Sequence, residues 1–175
     1  MVIQPAPRRL TMSPPWVFGI SIAFSLVAWG IVVALYWWPD LRRLPRADAL
    51  QPLLLLHAFR FVGLSFLVPG VVALDLPAAW ARPAAYGDVI AAILALLALV
   101  ALKSRLGLPM VWLFNAWGSA DLLYAFYRGN SVGLEPGHLG AAFHIVTVLV
   151  PLLLITHMLV FLLLLRSDPM VAGQD

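Results

Sequence analysis

Leu53–Leu74, LLLLHAFRFVGLSFLVPGVVAL, is apolar enough to enter a bilayer, yet holds His57 and Arg60 inside it. On insertion scales an arginine at the centre of a membrane helix costs about 2.5 to 3.5 kcal/mol, while each Leu, Ile, Val or Phe contributes about −0.3 to −0.6. The leucines, phenylalanines and valines therefore carry the segment into the membrane, and the guanidinium has to be accommodated there. That balance decides the fold class: an all-α, polytopic membrane helix bundle.

The composition agrees. Of 175 residues, 63% are hydrophobic and 11% charged, which leaves too little polar surface to cover a water-soluble domain. The formal charge of +3 sits in short segments between apolar runs, as topology signals do, and offers no patch for nucleic acid. Without cysteine the chain has no disulfide, no thiolate metal site and no cysteine nucleophile.

Five spans emerge on either side of the opening stretch. Residues 1–15 form a polar arm with Arg8 and Arg9, and 16–165 form one transmembrane domain. The first span, Trp16–Trp38, is longer than the apolar core of a signal peptide and ends in an aromatic anchor. Leu53–Leu74 is the second, with a kink expected at Pro69–Gly70. The third starts at Pro83 and runs to Leu102, with Ala91, Ala95 and Ala98 as a small-residue packing stripe. Met110–Tyr127 and Leu139–Leu165 are the fourth and fifth, and 166–175 is a short tail.

Arg8, Arg9, Arg82 and Arg128 fall on the N-terminal face, here face A. Arg42, Arg43, Arg46, Lys103, Arg105 and Arg166 fall on the opposite face B. The excess on B predicts an outside N-terminus and a cytoplasmic C-terminus, in a bacterial inner membrane.

Counting depth from these ends predicts two polar layers. His57, Arg60 and His157 lie near face B, where Arg60 can snorkel to the headgroups or hold an anion. Asp121, His144 and Asp88 lie towards face A, where Asp121 leans inward and His144 is its nearest partner by level. Asn115 and Ser119, four apart, are assigned to helix packing.

Three functions follow from these layers. The first is a bundle that binds a lipid-like or other small hydrophobic ligand, or a membrane partner, a second copy of the chain included. The second is electron transfer through one b-type haem on His57 and His157. The third is a proton-coupled transporter or channel using Asp121 and His144. No GxSxG, HExxH or paired aspartates on one helix face are present, so neither catalytic nor metal-ligating residues are assigned and an enzyme is not expected.

The runs HAFRFVGLSFLVPG, ARPAAYGD and FNAWGSADLL resemble, in this order, small multi-span bacterial membrane proteins of unassigned activity. That resemblance implies that His57, Arg60, Asp88, Asn115 and Asp121 belong to one architecture. The start PPWVFG is similar to the tryptophan-rich sensory proteins, which have five spans and bind porphyrins, but the later spans lack that family's aromatic-rich pattern.

Overall fold

The computed structural model of the chain describes residues 14–166, so the N-terminal arm up to residue 13 and the tail beyond Arg166 lie outside it. The described residues form helices and turns with no strand. In order they are α1 (Pro14–Val32), α2 (Trp38–Leu41), α3 (Arg46–Ala58), α4 (Ala78–Ala101), α5 (Gly107–Ser131) and α6 (Val150–Leu165).

Short segments of other pitch extend them. A π-helical turn, Val33–Trp37, joins α1 to α2, and another, Ile145–Leu149, leads into α6. A 3-10 segment, Phe59–Leu67, continues α3, and a second, Pro136–Ala142, precedes the last helix. Four helices, Pro15–Leu41, Arg46–Leu67, Ala78–Ala101 and Ile145–Leu165, are long and apolar enough to cross a membrane. α5 is equally long, with 25 residues, or about 37 Å, but more polar.

The surface is inverted relative to a water-soluble fold. Phe24 is 73% and Val100 87% exposed, while His57 and Arg60 are 0% and 1% exposed. Apolar side chains outside and polar ones inside match a hydrocarbon solvent.

Two helix starts differ from the sequence expectation. Helix α3 begins at Arg46 and carries Pro52 inside it, and α4 begins at Ala78 with Pro83 inside. Pro83 reads as a helix start and Pro52 as the last residue of the preceding loop, yet each lies beyond the first turn, where lipid-embedded helices tolerate the lost hydrogen bond. Starting α3 about seven residues earlier places Arg60 about 10 Å deeper from face B. Starting α4 five residues earlier moves Asp88 about 7 Å deeper from face A.

The expected kink at Pro69–Gly70 is a helix end. The 3-10 segment stops at Leu67, Val68 is extended, and Gly70 turns the chain with φ of +86°. That turn meets the loop before the last helix, where Ala141 donates its N–H to the Val71 carbonyl at 2.8 Å. Gly140 is required at this crossing, because a Cβ on it would lie 2.4 Å from the same carbonyl.

The 3-10 segment is longer than the three or four residues usual for this geometry. With three residues per turn, side chains at i and i+3 eclipse, and its buried residues are Arg60, Gly63 and Phe66. One face of the segment is thereby turned wholly into the bundle. It packs chiefly against α4, whose Ala91, Ala95 and Ala98 are completely buried, as a small-residue stripe permits.

The core divides into two apolar clusters. One contains Leu50, Leu53, Leu54, Ala95, Ala98, Phe114 and Leu163, towards face B; the other contains Phe66, Trp80, Ala85, Leu139 and Ala142, towards face A. The charged residues lie between them. Helix α1 is peripheral and docks on the π-turn Ile145–Leu149, where Trp29 Nε1 donates to the Val148 carbonyl at 3.1 Å.

Candidate functional site

Arg60 is the centre of the buried polar residues. Its Nε donates to Asp88 Oδ1 at 2.8 Å and its Nη2 to Asp121 Oδ2 at 2.6 Å. Its Nη1 reaches the Gly118 carbonyl and His157 Nε2, each at 3.1 Å. One guanidinium from the 3-10 segment thus ties α4, α5 and α6 together through four of its five N–H groups.

His157 is fixed from its other side by Asn115. The Asn115 amide donates to the His157 carbonyl at 3.2 Å, which turns its Oδ1 towards His157 Nδ1 at 2.7 Å. Because that oxygen only accepts, Nδ1 carries the proton, and Nε2 presents its lone pair to Arg60. Asn115 therefore sets the tautomer that lets an imidazole face a guanidinium. Ser119, its neighbour by helical spacing, has a buried hydroxyl with no hydrogen-bond partner among the described residues.

The expected pairing of Asp121 with His144 is overturned: Asp121 pairs with Arg60, and His144 points out of the bundle, its ring against Phe143. Arg60 does not snorkel, since it is buried between two carboxylates. The two layers collapse into one because the proline-based span ends placed Arg60 and Asp88 too near opposite surfaces.

His57 and His157 do share a level, with ring centroids 4.2 Å apart, and Phe114 packs on both. Their arrangement does not fit a haem. Axial nitrogens stand about 2 Å from a metal on opposite sides, whereas these rings touch directly. His157 uses both nitrogens as described. Thr156 donates its hydroxyl proton to the backbone of its own helix and so accepts from His57 Nε2 at 3.0 Å. His57 Nδ1 is left buried with no partner among the described residues.

Three glycines make room for this network. A Cβ on Gly63 would lie 2.1 Å from Asp88 Oδ2, one on Gly87 1.7 Å from Asp121 Oδ1, and one on Gly118 2.5 Å from His157 Cε1. None of the three is assigned a role from the sequence. The signal was present: a glycine inside a helix costs about 1 kcal/mol relative to alanine, so its presence asks for a packing reason.

Above the network, towards face A, a cavity of about 240 Å³ opens between the 3-10 segment, α4, α5 and the last helix. Phe18, Phe66, Trp80 and Phe126 line its sides, and Asp88 and Asp121 are its acidic groups. Trp80 is held in place by its Nε1, which donates to the Ala125 carbonyl at 2.9 Å, and by edge contact with Phe66. Asp121 also lines a second, more open depression with Pro83, Tyr86, Trp117 and Tyr124.

This helical unit corresponds to a known family. Residues 17–165 match the family model described as a domain of unknown function, DUF8737. The chain belongs to the DUF8737 family. The match takes in every element that contributes to the Arg60 network, so the network lies wholly within the family domain. No curated protein and no solved structure matches the chain.

Proposed function

We propose that this DUF8737 protein is a five-span integral membrane protein that binds a small, largely apolar ligand in the cavity above Asp88 and Asp121. The observation that carries this reading is the meeting of an apolar, aromatic-walled cavity with a buried charged network. Binding sites combine such walls with a few convergent polar groups, and ionisable groups within a membrane bundle are functional candidates by default. At about 240 Å³ the space is slightly below the range of drug-sized sites, which limits the ligand to a small molecule.

Five spans are supported by the way α5 offsets its own polarity. Asn115 and Asp121, which make it the least apolar of the long helices, are bonded to His157 and Arg60 on its neighbours. The excess of Lys and Arg on face B supports an outside N-terminus, which would open the cavity towards the outer surface.

The test is extraction and mass spectrometry of small molecules from protein purified in neutral detergent, beside an Ala125→Phe variant. Ala125 lines the cavity, and only its backbone carbonyl serves Trp80. A molecule recovered in stoichiometric amount from the parent and lost from the variant supports the reading. Equal recovery from both would place the molecule on the lipid-facing surface and sink it.

A second reading is proton-coupled transport, favoured by the position of Asp121 against two separate depressions. Proteoliposomes containing a pH-sensitive dye test it: the proton flux has to disappear in Asp121→Asn.

A further inference from the structure

We infer that the ligand of this cavity is a small lipophilic cation, a protonated amine on an apolar body; the inference rests on the ligand-binding reading above. Charge is the first argument. The network holds one guanidinium against two carboxyl groups, so one carboxylate lacks a cation of its own. A lone negative charge in a bilayer is costly and calls for a counter-charge.

Accessibility is the second. Arg60 has no exposed side-chain surface, whereas Asp88 and Asp121 keep 13% and 10%. Each carboxyl spends one oxygen on Arg60, and the second has no hydrogen-bond partner among the described residues. The cavity wall includes Asp88 and Asp121 but not Arg60, so a molecule entering it meets the two acidic side chains and not the guanidinium. An anion is repelled there, a hydrocarbon leaves the oxygens unpaired, and an ammonium donates to them with opposite charge.

The walls give the third argument. Phe18, Phe66, Trp80 and Phe126 present aromatic surface beside the acidic groups, and aromatic faces attract cations as well as apolar groups. An alkylammonium with one ring or a short chain satisfies walls and floor together. A bare metal ion satisfies only the floor.

The experiment titrates four molecules of one shape into the full-length protein in neutral detergent at pH 7: 2-phenylethylamine, 2-phenylethanol, 3-phenylpropionate and ethylbenzene. Binding is read by calorimetry and thermal shift. The expected result is that the amine binds at least tenfold more tightly than the alcohol and ethylbenzene, and the propionate least of all. If ethylbenzene or the alcohol equals the amine, the cationic class is overturned while the apolar-ligand reading stands. If none of the four binds, both fall.

Two variants sharpen the outcome. Asp121→Asn is expected to erase the amine's advantage while ethylbenzene binding remains, and Ala125→Phe to remove binding of both. An unchanged preference in a folded Asp121→Asn protein overturns the role given to that carboxylate.

Discussion

Gly118 sets its bare Cα against the guanidinium of Arg60: a Cβ there would lie 2.8 Å from Nη1 and 2.7 Å from His157 Nε2. The carbonyl of the same residue accepts from Arg60 Nη1, so this glycine is both partner and clearance.

Alanine at Gly63, Gly87 or Gly118 is therefore expected to destabilise the protein by about 1 to 3 kcal/mol each, the usual cost of forcing volume into a packed core. Gly30, where an added Cβ meets nothing within 4 Å, is the control, and its alanine variant should be neutral or mildly stabilising. Unfolding in mixed detergent micelles followed by tryptophan fluorescence measures all four. Equal stability across the set would mean that the network is free to spread.

Arg60→Met strands two carboxylates and is expected to cost about 3 to 5 kcal/mol, as removal of one partner of a buried pair does. Arg60→Lys should recover only part of this, because an ammonium cannot send donors to Asp88, Asp121, Gly118 and His157 from separated nitrogens. His144→Leu, on the outer face, should stay within about 0.5 kcal/mol of the parent. The same unfolding assay orders the three, and a His144 variant as weak as Arg60→Met would contradict the geometry.

The two stacked histidines should respond unequally. His157→Phe removes partners from both Asn115 and Arg60, for an expected cost of about 1 to 3 kcal/mol. His57→Phe loses one bond to a threonine already satisfied by its own helix, for about 1 kcal/mol or less. Protein from haem-replete cells should show no Soret band; a band lost in either variant would reverse the conclusion that these rings do not hold an iron.

The absence of native cysteine makes orientation simple to read. Ser131→Cys at the face-A end of α5 should react with a membrane-impermeant maleimide in intact cells. Ser104→Cys, in the face-B loop, should react only after permeabilisation. The opposite pattern would invert the assignment drawn from the lysines and arginines.

The all-helical fold was legible from apolar run lengths, and the alanine stripe from its spacing. Depth was not legible, because Pro52 and Pro83 look like span boundaries while lying inside longer helices. Depth errors of about 10 Å at face B and about 7 Å at face A separated Arg60 from Asp88 and Asp121, and a single salt-bridged cluster became two layers. The level of His57 and His157 survived, because both lie on the B half, but their ring contact depends on packing distances that a helical count does not carry. Arg60 also lies in a 3-10 segment whose period is invisible in a continuously apolar run.

That segment counts in threes. At about 120° per residue, Arg60, Gly63 and Phe66 share one face, whereas at the 100° of an α-helix Phe66 would stand about 120° away from Arg60. Within Phe59–Leu67, loss or gain of a single residue would turn Phe66 out of the cavity wall or Arg60 away from its carboxylates. Only a change of three residues keeps both on the same face. In the preceding α-helix α3 register is kept in sevens, so the tolerance of this span to insertion and deletion should change abruptly at Phe59.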